Sequence, residues 1–258
     1  MNSSAALTVA IATTAPQLKS LSAARLPALP RMQWHIFVQN QDPNAAPCPV
    51  PPELSRPDIS VTQTTGRGAA RNRNAALQTV NTAFLLFADD DLTFSADGLQ
   101  ALLSRFEAYP DTDFFCAQLN DETGAPRKRY SGDGKTVRWW NCAKVGTPEL
   151  AVRPDRFRYC GLAFDTRFGA GMPDYLGDEY IFLCDALRAG LRGRHAALTV
   201  AMHPAQSSGT RSTPNVMDIR RRVLVRALGP WKSRPARLAF ALRHWRQFPS
   251  CRAAWRFL

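Results

Sequence analysis

Three consecutive carboxylates, Asp89, Asp90 and Asp91, stand directly after the run Phe84–Ala88 (FLLFA), the strongest strand signal in the chain. Adjacent carboxylates repel one another. At the end of a buried strand they must either bind their protons more tightly or take up a cation. A hard divalent ion with oxygen ligands, Mg²⁺ or Mn²⁺, suits such a cluster and would in turn hold a diphosphate. The competing reading is a solvated acidic turn or a helix-capping group. The apolar strand delivering the cluster argues against that reading, because in α/β sheets ligands bind beyond the carboxyl ends of the strands.

The elements that must position this cluster are legible as alternating patterns. Leu7–Ala12, Gln33–Gln39, Ile59–Thr62, Phe84–Ala88, Phe114–Leu119 and Ala197–Met202 read as strands by length and β-forming composition. Gln17–Leu29 has helical spacing at Leu18, Leu21 and Leu26, and Ala69–Val80 reads as a helix opened by the glycines at 66 and 68. Ser95 is placed to cap a helix over Ala96–Ala108, with Asp97 in its first turn. A further helix ends near Ala189, before Gly190. Asn40–Pro57 and residues 120–150 read as loop. Strands alternating with helices in the first half predict an α/β sheet with parallel neighbours.

Composition bounds the rest. With 258 residues, 45% of them hydrophobic, the chain suits one globular domain with a sizeable core. No run of about 18 apolar residues predicts a membrane span. The first residues lack a basic leader and read as a buried strand, so the expected location is the cytoplasm. Six cysteines at 48, 116, 142, 160, 184 and 251 form no C-x-x-C pair, and free thiols are expected. The net charge of +12 is unevenly spread. Residues 216–258 hold eleven Arg and Lys against the single acid Asp218, a net +10. Residues 1–215 hold 22 basic and 20 acidic residues, a net +2. The high pI therefore describes a tail and not the carboxylate cluster.

Residues 64–94, TTGRGAARNRNAALQTVNTAFLLFADDDLTF, resemble the donor-binding core of family 2 glycosyltransferases. Gly66, Gly68, Ala70, Arg71 and Asn72 match the segment opening a helix in that family, and Asp89–Asp91 match its D-x-D position. Residues 164–190, FDTRFGAGMPDYLGDEYIFLCDALRAG, resemble the acceptor-side segment. Leu7–Thr14 resembles the first strand, and Val200–Pro204 the strand that ends in a histidine. The resemblance covers roughly residues 5–205. It implies an α/β fold of the GT-A type, a Rossmann-like mixed sheet flanked by helices and followed here by a basic helical extension. The implied organisation is a catalytic domain over 1–215, with 1–119 binding the nucleotide sugar and 120–215 serving the acceptor, and a tail over 216–258.

The same resemblance implies roles. Asp89 and Asp90 face the donor. Asp91, with Asp89, ligates Mn²⁺ or Mg²⁺, and His203 is a further metal ligand unless it is structural. Thr13 and Asp42 approach the base, although the family's threonine-containing turn and base-contacting aspartate are matched only loosely here. Gly66 and Asn72 belong to the donor-binding segment, and Arg71 offsets the diphosphate. Glu179, with Asp178 beside it, is the general base of an inverting transfer. Trp139 and Trp140 either stack on sugar rings or fill core under a loop.

The tail carries its own pattern. Leu238, Ala241, Leu242, Trp245 and Phe248 fall in one helical stripe, with arginines outside it and Phe240 breaking the polar face. It reads either as a surface for an anionic membrane, placing the enzyme peripherally on the inner face of the cytoplasmic membrane, or as a helix packed on the domain. The expected function is sugar transfer from a nucleoside-diphosphate sugar to a glycan or lipid-linked acceptor in cell-surface polysaccharide synthesis. Nucleic acid is not an expected partner. Competing readings are a nucleic-acid-binding protein with a basic arm, an inactive transferase-like protein, and a nucleotidyltransferase, whose phosphate loop ATTAPQL does not supply.

Overall fold

The apolar runs of the first ninety residues pair side by side. β1 (Leu7–Thr14) lies between β2 (Met32–Asn40) and β4 (Phe84–Asp89), and β3 (Ile59–Thr65) lies outside β2. All three pairings are parallel. The computed structural model describes residues 5–42, 44, 46–204, 215–248 and 250–258. The complete sheet has the order β3-β2-β1-β4-β7-β6-β8-β5. Its far half is mixed. β6 (Phe114–Asn120) and β8 (Gly193–Met202) run parallel, while the short β7 (Leu150–Val152) is antiparallel to both β4 and β6. β5 (Thr93–Phe94) pairs antiparallel with the end of β8.

Strands buried on both faces read as near-continuous apolar runs. The period of two then sends alternate residues into two cores. Leu7, Val9 and Ile11 of β1 join Leu86 and the helix α3 (Ala96–Ala108) on one face. Ala10, Leu85 and Phe87 join α2 (Ala69–Thr79) and α5 (Asp178–Arg188) on the other. Ser95 caps α3 as expected, accepting the Gly98 N–H at 3.1 Å.

Some expected elements differ. Gln17–Leu29 is not one helix. One turn, α1 (Ala15–Leu18), is followed by a 3₁₀ turn at Ala23–Arg25, and Leu18, Leu21 and Leu26 are all buried. Serines compete with the helix ladder here: the Ser20 hydroxyl donates to the Gln17 carbonyl, and Ser22 accepts from the Ala24 N–H. The segment 120–150 is largely irregular, as expected. The strand and the short α4 (Pro154–Tyr159) that follow it were not anticipated.

The tail is not a single appendage. α6 (Val216–Leu228) sinks Ile219, Val223 and Ala227 into the core shared with α5. Arg226 bonds to Asp165 at 2.8 Å and Asp185 at 3.0 Å, and Arg222 bonds to Asp174 at 2.5 Å. Only α7 (Ser233–Arg243) and α8 (Cys251–Phe257) lie beyond it, on a small cluster of Met217, Ala241 and Phe257. Among the described residues no helix is long and apolar enough to cross a membrane, and the six cysteines are free.

Candidate active site

The carboxyl ends of β1 and β4 meet where the strand order reverses, the place at which parallel sheets open a crevice. Ala12 is in register with Asp89, so Thr13 arrives beside Asp90. The Thr13 hydroxyl donates to the Asp90 carboxylate, and Thr13 is buried. Burial raises the Asp90 pKa, the Thr13 bond opposes this, and the neighbouring Asp89 and Asp91 add to the rise.

Asp89 turns the other way, toward Arg73. This arginine lies on the inward face of α2 and joins two carboxylates: Nη2 reaches Asp89 Oδ1 at 3.1 Å, and Nη1 reaches Asp178 Oδ2 at 2.5 Å. The Arg73 and Asp178 side chains are only 7% and 4% exposed, whereas Asp89 is a third exposed. Arg73 also lies over the Phe164 ring, 5.9 Å from its centroid, and Phe164 stacks on Phe182 of α5. Burial works against the guanidinium charge, but Asp178, Asp89 and Glu179 outweigh it and raise the pKa.

The first turn of α5 brings the second acidic pair. The loop before it is shaped for this approach. At Gly169 (φ +95°) an added Cβ would sit 2.6 Å from the Asp178 carboxyl carbon. Asp178 is spent on Arg73. Glu179 is not: its Oε2 is buried without a hydrogen-bond partner. Burial, and then the adjacent Asp178, push its pKa well above the usual carboxylate value, with Arg73 pulling back. Asp89, Arg73, Asp178 and Glu179 line a cavity of about 610 Å³ together with His203 and Arg127. Its far wall is built on the buried Glu149, which accepts from Lys128 at 2.6 Å, Tyr130 at 2.9 Å and the Gly146 N–H at 2.9 Å.

His203 reaches Asp91 through the sheet. β5 follows the aspartates directly and pairs with the end of β8, Thr93 opposite Met202. His203 Nε2 then stands 3.7 Å from Asp91 Oδ2. Its Nδ1 lies 2.8 Å from the Pro204 carbonyl, which can only accept. Nδ1 therefore donates to that carbonyl, and Nε2 is the ring nitrogen that faces Asp91. Burial raises the Asp91 pKa, His203 opposes it and Asp89 adds to it. The expected metal set of Asp89, Asp91 and His203 is not assembled. Among the described residues no three His, Cys, Asp or Glu side chains converge, because Asp89 is drawn to Arg73.

Other expected residues are placed differently. Asn72 was expected to serve the donor. Its amide instead donates to the Thr13 and Phe37 carbonyls at 3.1 and 2.8 Å and accepts from Thr64 at 2.6 Å, tying together the ends of β1, β2 and β3. Arg71, expected to offset the diphosphate, is exposed on the outer face of α2. Arg73, two residues on, is the buried one. Helical phase could have found it: Ala70, Ala76 and Leu77 define an apolar stripe that includes Arg73 and leaves Arg71 about 180° away. Gly66 and Gly68 form the turn before α2 with φ of +114° and +99°. Asp42 is exposed just beyond β2, accepting the Asn44 N–H at 2.9 Å. Trp139 and Trp140 are exposed and meet edge to face at 5.3 Å, so they are not core. The cavity lining does not include them.

Residues 52–168, which carry the β3–α2–β4 unit and the aspartates, match the model of glycosyl transferase family 2. That match spans somewhat under half of the chain. Among solved structures it is similar to S. aureus TarS. The crystal structure of TarS 1–349 matches with a TM-score of 0.61 and 14% identity, over 85% of this chain and 64% of that one. A TarS crystal structure of greater length matches with a TM-score of 0.64 and 14% identity, over 94% of this chain and 43% of that one. TarS 1–349 in complex with UDP-GlcNAc matches with a TM-score of 0.63 and 14% identity, over 93% and 73%. The chain thus spans under two thirds of the first two. The likeness shows the fold, which is GT-A, a curled mixed sheet flanked by helices. No curated protein sequence matches significantly.

Proposed function

We propose that this protein is an inverting glycosyltransferase of the family 2 kind that moves a sugar from a nucleoside-diphosphate sugar to a glycan or lipid-linked acceptor in cell-surface polysaccharide synthesis. The observation that carries the reading is the cavity in which Asp89 at the end of β4 faces the first turn of α5, with Arg73 joining the two acidic sites. Donor and acceptor chemistry require that juxtaposition, and an acidic turn alone does not.

In this reading the donor lies over the ends of β1 and β4. Thr13 fixes the Asp90 carboxylate, and Asp42 stands on the same edge toward the base. Asp89, held by Arg73, faces the donor. Glu179 takes the proton from the acceptor hydroxyl. Its oxygen attacks the anomeric carbon, the bond to the diphosphate breaks with its electron pair leaving on phosphate, and one displacement inverts the centre. A partly desolvated carboxylate with one free oxygen and a raised pKa suits a base near neutrality. Asp178, held by Arg73, orients the pair.

Two of the expected ligands, Asp91 and His203, stand side by side for a divalent cation. Asp91 Oδ1 is buried without a partner, and His203 Nε2 lies 3.7 Å from Asp91 Oδ2. Asp91 and His203 would hold Mn²⁺ or Mg²⁺, with Asp89 nearby, and the ion would stabilise the charge of the departing diphosphate. Arg71 remains a candidate for that charge from the rim, and exposed Trp139 and Trp140 for a sugar ring of the acceptor.

TarS 1–349 is known in complex with UDP-GlcNAc, so uridine nucleotides are the first probes. Thermal shift with UDP and other nucleoside diphosphates, with and without Mn²⁺, should give a metal-dependent rise for one base. Glu179→Gln should abolish transfer and keep that rise. Absence of any nucleotide response would sink the reading. Loss of transfer in Asp178→Asn with full activity in Glu179→Gln would reverse the assignment within the pair.

A further inference from the structure

The apolar stripe expected in the tail is divided by the fold. α7 packs through Arg237, Phe240 and Ala241: Arg237 donates to the Phe257 carbonyl at 3.0 Å, Ala241 is buried, and the Phe240 ring lies 5.3 Å from Phe257. Phe248 joins them, 5.3 Å from Phe257. That inward face takes Ala241 and Phe248 from the stripe. It leaves Leu238, Leu242 and Trp245 outside, at i, i+4 and i+7, with exposures of 49%, 70% and 66%. Trp231, seven residues before Leu238, is 72% exposed, and Trp255 on α8 is 79% exposed. Half of the twelve large apolar side chains that stand exposed among the described residues fall in residues 231–258.

A row of exposed tryptophan and leucine is costly in water unless something covers it. The surrounding charge says what kind of surface does. Residues 231–258 contain seven Arg and Lys and no Asp or Glu. Arg234 lies over the Trp231 ring at 4.3 Å and Arg246 over Trp245 at 5.6 Å. A second copy of this face would set cation against cation. A nucleic-acid backbone would satisfy the arginines but leave Leu238 and Leu242 without apolar partners. An interface with anionic headgroups above and acyl chains below satisfies both, and tryptophan and arginine are the residues that lie at that depth.

We infer that the exposed face of α7 and α8, with Trp231, Leu238, Leu242, Trp245 and Trp255 as apolar anchors, docks the protein on an anionic lipid bilayer. α6 connects this face to the active-site side of the fold, because it packs on α5, whose first turn carries Asp178 and Glu179. Docking does not depend on the transferase reading, and it is measured without donor.

The test is sedimentation of the full chain with vesicles of equal parts phosphatidylcholine and phosphatidylglycerol, and with phosphatidylcholine alone. Binding to the anionic vesicles, falling with added salt, is expected. Leu242→Ser with Trp245→Ser should weaken it by about tenfold or more. Each of Arg234→Gln and Arg246→Gln should weaken it about fivefold. These side chains are exposed, so circular dichroism melts should match wild type, and a variant that melts early is replaced by Trp231→Ser with Trp255→Ser. Equal binding to neutral vesicles, or anionic binding that survives both apolar pairs of substitutions, overturns the inference. So does an absence of vesicle binding accompanied by self-association, or by duplex DNA binding, that the same variants abolish.

Discussion

Arg73 is the residue on which the site turns, and its removal has a calculable consequence. Arg73→Met keeps much of the side-chain volume and removes the charge. Asp178 is then left with a carboxylate 4% exposed and without the partner now at 2.5 Å. Breaking a buried pair from one side costs about 3–5 kcal/mol, most of it the penalty of an uncompensated charge. The Asp89 arm adds little, because that carboxylate is a third exposed and solvent screens it. For a chain of this size each kcal/mol is about 2–4 °C, so the melting temperature should fall by about 6–20 °C. Asp178→Asn should cost less, since Asp89 and Glu179 still face the guanidinium. The double variant Arg73→Met/Asp178→Asn should recover most of the loss, because neither charge is then stranded. Urea and thermal unfolding of the four proteins measure this directly. If Arg73→Met lies within about 1 kcal/mol of wild type, or the double variant is no more stable than Arg73→Met, the buried pair does not organise the site.

Further consequences are as direct. Glu179 binds its proton more tightly in the folded chain, so its contribution to stability is full below the unfolded pKa and is lost as pH rises through the folded one. Glu179→Gln should therefore melt higher than wild type at neutral and alkaline pH and no higher in acid. For the same reason the acid limb of the transfer rate should lie above the range of an ordinary glutamate, read from kcat/KM against pH. Thr13→Val removes the bond to Asp90 and should cost about 1.5–3 kcal/mol, seen in chemical unfolding and in weaker nucleotide binding. Truncation after residue 215 exposes the α5 face that Ile219, Val223 and Ala227 cover and strips Asp165 and Asp185 of Arg226. It should lower the melting temperature far more than truncation after residue 230, as differential scanning calorimetry would show. His203→Ala should remove the Mn²⁺-dependent part of nucleotide binding while leaving the metal-free part.

Much of this protein is set by local pattern. Buried parallel strands announce themselves as short apolar runs, so β1, β2, β4 and β6 are legible, and so is the position of Asp89–Asp91 at a strand end, where a period of two and a sheet's polarity leave few alternatives. Family likeness in residues 52–168 rests on that same contiguous stretch. What required the tertiary structure are the meetings across long separations. Arg73 and Asp178 are 105 residues apart, and nothing local selects Arg73 over Arg71 except which side of α2 faces the sheet. Asn72 looks like a ligand-binding residue until three strand ends take all its hydrogen bonds. His203 reaches Asp91 because β5 pairs with β8, a pairing two residues long that no periodicity signals. In the tail the sequence shows how much apolar surface there is. Only the packing of α7 on α6 and α8 decides which of it stays in contact with water, because a helix can bury one face and must leave the other exposed.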